Sequence, residues 1–128
     1  MASRAAGRFR LALVQLAVTA SKQTNLANAR SRILDAATKG AQLVVLPECF
    51  NSPYGTEHFA QYAERVPEGE SCEVLSKVAK EAGVYLVGGS IPEAAKDGSG
   101  KFFNTCTVWD PQGSLPCVRP CTLRVRRS

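Results

Sequence analysis

Two short apolar runs, separated by one amphipathic segment and closed by a proline, place the tightest limit on how this chain can fold. The first run is Phe9 to Val18 (FRLALVQLAV), interrupted chiefly by Gln15. A near-continuous apolar run of this kind predicts a strand buried on both faces. Leu26, Ala29, Ile33, Leu34 and Ala37 then recur at three- and four-residue spacing, which predicts an amphipathic helix. Thr24 or Asn25 is placed to cap its start, and Gly40 to end it. Leu43 to Leu46 (LVVL) is a second buried strand, stopped by Pro47. Strand, helix and strand in this order make a β-α-β unit with a right-handed parallel crossover, so the fold class is α/β. Chemistry in such sheets gathers beyond the carboxyl ends of the strands, and Pro47-Glu48-Cys49-Phe50 falls there.

The same alternation continues. Residues 51 to 69 read as a loop with a short helix around His58 to Arg65, and Ser52-Pro53 and Tyr54-Gly55 mark turns. Ser71 to Ala82 is a second amphipathic helix, with Val74, Leu75, Val78 and Ala79 on one face and Gly83 closing it. Val84 to Val87 is a third strand ending in Gly88-Gly89-Ser90, and Phe102 to Trp109 a fourth. Asp110-Pro111-Gln112-Gly113 has the proline and glycine positions of a tight turn. A return strand should follow, yet Pro116 and Pro120 would each remove a ladder donor. The chain therefore divides into a disordered leader over 1–8, a partial α/β domain over 9–115, and a disordered basic tail over 116–128.

Composition excludes several function classes. The net charge is +5, but Arg119, Arg124, Arg126 and Arg127 all fall in the last ten residues. Without them 12 basic residues face 11 acidic ones, so no basic surface for nucleic acid is expected. No apolar run approaches the roughly 20 residues of a membrane span. Five cysteines at irregular spacing make a poor disulfide framework, and no Cys or His pairing completes a metal site. A reducing compartment follows, and the cytoplasm is the expected location. The first acid is Asp35, and six basic residues precede it, so a mitochondrial transit segment stays open as an alternative. The early strand favours a plain leader.

Glu48 is the strongest chemical candidate. It follows a buried strand, is held by Pro47, and stands beside apolar Phe50. Partial desolvation there would raise its pKa and suit general-base work. Cys49 is adjacent, but neighbours on an extended chain point opposite ways, so the two should not share a reacting centre. A buried structural Cys49 is the expectation. Cys72 opens a helix and would gain from the helix dipole, although no base lies beside it in sequence. Cys106 should pack in its strand. His58 has no partner signature, and Gly88-Gly89 lacks the spacing of a dinucleotide fingerprint. Tyr54, on the loop after Glu48, could line a pocket.

The order LALVQL, helix, GAQLVVLPECFNSPYG, helix, VYLVGGSIPE, FFNTCTVWDPQGSL resembles the nitrilase superfamily of carbon–nitrogen hydrolases over roughly Phe9 to Leu115. Within it, PECFNSPYG is most similar to the omega-amidase branch. The resemblance implies the N-terminal half of an α-β-β-α sandwich, truncated, whose parents pair through helices into dimers. It implies hydrolysis of the terminal amide of dicarboxylic monoamides, such as 2-oxoglutaramate and succinamate, to the acid and ammonia. No cofactor and no metal are implied. The family works with a Glu-Lys-Cys triad: the thiol attacks the amide carbon, the Glu moves the protons, and the Lys stabilises the oxyanion. Glu48 matches the Glu of that triad and Tyr54 a tyrosine near the substrate. After Gly113 the family continues with a strand that supplies the Lys, whereas this chain reads PCVRPCTLRVRRS and has no Lys after Lys101.

Two readings follow. In one, the chain is an omega-amidase-type fragment that keeps only the Glu and is inactive alone. In the other, it is a non-catalytic subunit that docks on the complete enzyme, which co-purification would reveal.

Overall fold

A computed structural model describes residues 7–122. The elements are β1 (Leu11–Leu13), α1 (Lys22–Thr38), β2 (Leu43–Val45), a 3-10 turn (Thr56–His58) leading into α2 (Phe59–Tyr62), α3 (Glu70–Ala82), β3 (Tyr85–Val87), β4 (Ile91–Ala94), β5 (Phe102–Trp109) and β6 (Cys117–Thr122). They form one six-stranded mixed sheet with α1 and α3 side by side on one face. β1, β2 and β3 are parallel, as the β-α-β pattern requires. β5 is the longest strand. It pairs antiparallel with β3 at one end and β4 at the other along one edge, and with β6 along its other edge.

The helices form where the apolar spacing places them. Leu26, Ala29 and Ile33 of α1 meet Leu75, Val78 and Ala79 of α3 over Val44 and Leu86 of the sheet, and all are buried. The cap of α1 differs from the expectation. Ser21 accepts from the Thr24 amide at 3.2 Å, while Asn25 turns inward and exchanges hydrogen bonds of 2.7 and 2.8 Å with the Thr19 backbone. Gly83 ends α3 at φ +65°, the left-handed conformation that favours glycine. The short helix of the loop stops at Tyr62, before the expected Arg65, because Ala63 is extended.

Two strand expectations are corrected. β1 occupies only Leu11–Leu13 of the ten-residue apolar run, and Leu11 and Leu13 are exposed. β1 is an edge strand, and the helices cover only the face that Ala12 shares with Val44 and Leu86. β4, not expected from sequence, contains Pro92, whose carbonyl accepts from the neighbouring Glu64 amide at 3.0 Å. The return strand exists. β6 pairs with β5 from Val108↔Cys117 to Phe103↔Thr122, so the segment 117–122 of the expected tail is ordered sheet. The Asp110–Gly113 turn, with its 2.9 Å Gly113-to-Asp110 hydrogen bond, brings the chain back in register. Pro116 precedes the ladder, and Pro120 lies in an edge strand, where one missing donor is affordable. The leader residues 1–6 and the tail residues 123–128 lie outside the described residues.

Register also defines the second face of the sheet. Leu11, Leu43 and Tyr85 stand in one row, and Leu13, Val45, Val87, Val108 and Cys117 in another. Paired residues point to one side, so both rows face away from the helices.

Candidate active site

The carboxyl end of β2 is fixed from two sides. The Leu46 amide donates to the Val87 carbonyl at 3.0 Å, extending the parallel ladder one step beyond the strand. On the other side, Gly89 at φ +59° lies directly against the Pro47 carbonyl oxygen, and a Cβ there would also stand 2.8 Å from the Leu46 oxygen. Gly89 is thus the backbone wall behind Glu48. Ser90, next in the chain, accepts from the Cys49 amide at 3.0 Å.

Glu48 projects from this anchored corner. Asn104 of β5 donates from Nδ2 to Glu48 Oε1 at 2.7 Å. Glu48, Cys49, Tyr54, Gly55, Thr56, Phe59 and Asn104 line a cavity of about 140 Å³. The two residues singled out from sequence, Glu48 and Tyr54, therefore meet at one concavity, although both are exposed. The expected partial desolvation of Glu48 is not found. Phe50, thought to shield it, is wholly inside the core. A larger groove of about 730 Å³ runs along β1 beside Arg32 and Asp35 of α1, but it holds none of the Glu48 group. The chemistry points to the smaller cavity, where a carboxylate and its positioning amide converge.

Cys49 departs from the alternation argument. Its φ of +50° breaks the extended chain, so its sulfur comes within 3.9 Å of Asn104 Oδ1, the same side chain that holds Glu48. Cys49 and Glu48 thus share a neighbour. The thiol is nevertheless buried; burial pushes its pKa up, the Ser90 contact pulls it down, and the Glu48 charge pushes it up again. A structural thiol is the outcome. Cys72 goes the same way, more strongly: burial first, then the carboxylates of Glu64, Glu93 and Glu68, push it up to about 12. These outweigh the helix-dipole assistance expected at the start of α3. Cys106 is half-buried in β5 and is also raised, by burial and then by Cys117. His58 packs edge-on against Tyr62 with ring centroids 6.3 Å apart. Among the described residues no group of three or more His, Cys, Asp or Glu could hold a metal ion.

Sequence reasoning missed Asn104 and Ser90. Asn104 had a signal, being the polar member of the otherwise apolar outward set Phe102, Cys106 and Val108 of β5. It also missed a buried polar knot beneath the loop. Glu64 accepts from Asn51 Nδ2 at 3.0 Å, the Ser71 amide at 2.8 Å and the Ser71 hydroxyl, and pairs with Lys22 Nζ at 3.2 Å. Asn51 lies within PECFNSPYG, so this knot ties the loop after Glu48 to α1 and α3.

The sequence model of the family described as carbon–nitrogen hydrolase matches residues 10–126. The chain belongs to the carbon–nitrogen hydrolase family. The match includes the residues of β6. Among curated relatives, omega-amidase NIT2-B of Xenopus laevis is 60% identical over 108 residues, covering 84% of this chain and 38% of the relative. Human omega-amidase NIT2 is 55% identical over 107 residues, covering 84% and 37%. Among solved structures, Saccharomyces cerevisiae Nit3, a member of branch 10 of the nitrilase superfamily, superimposes with a TM-score of 0.80 at 36% identity, over 88% of this chain and 43% of Nit3. An amidase from Nesterenkonia sp. AN1, captured with acrylamide added at its active-site cysteine, gives 0.73 at 28% identity, over 88% and 44%. The carbon–nitrogen hydrolase chain described here thus has the nitrilase-superfamily fold over part of its domain, and spans under two fifths of the length of these curated relatives.

Proposed function

We propose that this chain carries the general-base limb of an omega-amidase-type site acting on the terminal amide of small dicarboxylic monoamides such as succinamate and 2-oxoglutaramate. The observation that carries this reading is Glu48, held at 2.7 Å by Asn104 on the rim of the cavity it shares with Tyr54, inside the PECFNSPYG segment. A carboxylate so placed can take a proton from a thiol nucleophile and later from the water that cleaves the thioester. Asn104 keeps one carboxylate oxygen occupied and so fixes which oxygen is free for that proton. Tyr54 contributes the outer wall against which a short substrate would rest.

The other two members of a Glu-Lys-Cys triad are not supplied by these 128 residues. The sequence has no Lys after Lys101, and Cys49 and Cys72 hold their protons too tightly to attack an amide. The chain alone is therefore inactive, and Glu48 serves binding only. Titrating the isotope-labelled chain with succinamate, followed by amide NMR, tests both parts. Shifts confined to residues around Glu48, Tyr54 and Asn104, with no ammonia released, are expected. Absence of any shift there refutes the substrate class, and ammonia release abolished by Glu48→Gln refutes the inactivity.

A further inference from the structure

Glu64 is a buried carboxylate that the proposed site does not use. It accepts from the Ser71 amide at 2.8 Å, the Ser71 hydroxyl, Asn51 Nδ2 at 3.0 Å and Lys22 Nζ at 3.2 Å. A carboxylate taken out of water needs such partners. One part of its role is local. Gly69, the N-cap of α3, makes no side-chain cap, and a Cβ there would stand 2.5 Å from Glu64 Oε1. Glu64 therefore caps the helix in place of the N-cap residue, by accepting from the Ser71 amide.

Capping accounts for Ser71 and leaves Asn51 unexplained. Asn51 is wholly buried, and its amide gives its hydrogens to the knot, to Glu64 and to Ser71 Oγ at 2.9 Å. Among the described residues, Asn51 Oδ1 is the one buried side-chain oxygen or nitrogen without a partner. A buried acceptor left unmet is destabilising. Turning the amide over would set that oxygen against the Glu64 carboxylate, so Glu64 dictates how Asn51 sits. Asn51 in turn lies between two lining residues of the Glu48 cavity. It stands in the tight turn where the Ser52 amide donates to the Cys49 carbonyl at 3.3 Å, with Cys49 before it and Tyr54 after it. The main chain of Glu64 is anchored elsewhere. Its amide donates to the Pro92 carbonyl at 3.0 Å, and its carbonyl accepts from the Ala94 amide at 2.9 Å. Pro92 pairs in register with Asn104, the residue that holds Glu48. Backbone bonds thus fix Glu64 to the sheet side of the cavity, while its side chain holds the loop side.

We infer that Glu64 is a positioning residue for the Glu48 cavity: acting through Asn51, it sets where the Tyr54 wall stands relative to Glu48 and Asn104. The inference rests on the amidase reading for the use of that cavity. Three variants of the chain, followed by NMR first without ligand and then with succinamate, test it. Asn51→Ala cuts the tie and leaves Glu64 with Ser71 and Lys22. The Tyr54, Gly55 and Thr56 amides should shift, the Asn104 side-chain amide should stay in place, and succinamate binding should weaken about tenfold. Ser71→Ala damages the same knot but keeps the bond between Asn51 and Glu64. It should lower the urea midpoint while leaving the cavity resonances in place and the affinity within about twofold of wild type. Asn51→Asp combined with Glu64→Gln exchanges donor and acceptor and keeps one negative charge in the knot, so it should restore the wild-type cavity resonances. Cavity resonances that stay in place in Asn51→Ala overturn the inference, as does an equal displacement in Ser71→Ala. If Asn51→Ala does not fold, the exchanged pair decides: a folded chain with wild-type cavity resonances supports the inference, and any other result overturns it. A wild-type chain that shows no response to succinamate refutes the amidase reading instead, and the ligand-free shifts still decide the positioning.

Discussion

Gly89→Ala offers the sharpest test of how the fold holds Glu48. The new methyl group meets two penalties. At φ +59° an L side chain costs about 1–2 kcal/mol relative to glycine. The Cβ would also press onto the Pro47 carbonyl oxygen and stand 2.8 Å from that of Leu46, and neither backbone atom can swing aside as a flexible side chain can. Something must move, and the candidates are the two corners that carry Glu48 and Ser90. A total loss of at least about 3 kcal/mol is expected. With a urea slope of about 1.5 kcal/mol/M for a chain of this size, the unfolding midpoint falls by about 2 M. Gly98→Ala is the control. Its φ is +74° and nothing lies within 4 Å of its Cβ, so it meets the conformational penalty alone. The Asn104 side-chain amide resonances should shift in Gly89→Ala and stay in place in Gly98→Ala, since the 2.7 Å bond to Glu48 depends on the Pro47 corner. If the two variants lower the midpoint equally, the close backbone approach is not what fixes the site.

Two further predictions concern buried polarity. Glu64→Ala leaves Lys22, Asn51 and the Ser71 amide without their shared acceptor, and should cost about 3–5 kcal/mol by urea unfolding, against less for Glu64→Gln, which keeps an acceptor oxygen. Equal losses would show that the knot contributes little beyond packing. Cys72 holds its proton to about 12 in the folded chain against an ordinary value near 9, so its contribution is complete below pH 9 and is lost as pH rises towards 12. That loss amounts to at most about 4 kcal/mol; Cys72→Ala should flatten the alkaline limb of the stability curve, and an unchanged limb would refute the assignment.

Some elements were legible because their cause is local. The periodicity of Leu26, Ala29 and Ile33 and the Gly83 terminus depend on spacing and on glycine's freedom, which a sequence displays directly. Glu48 was legible for a related reason, since a proline after an apolar run marks the end of a strand, and PECFNSPYG carries the family resemblance. The errors share a different cause. Pro116 and Pro120 argued against a return strand, yet β6 forms because β5 offers eight residues of ladder to whatever lies beside it. The apolar run Phe9 to Val18 promised burial on two faces, but burial depends on what stands opposite, and helices cover only one side of β1.

The site divides along the same line. Sequence alone determined that a carboxylate follows a buried parallel strand, that a tyrosine follows six residues later, and that no lysine comes after residue 101. Tertiary structure decided that Asn104, 56 residues away, is the group that holds Glu48, and that Gly89 forms the wall behind it. It also decided that Cys49 turns towards the same asparagine while burial pushes its thiol pKa up. The physical reason is range. Strand ends and caps are set by residues within one turn of each other, whereas hydrogen-bond partners, burial and pKa are set by whatever the sheet register brings across from another strand.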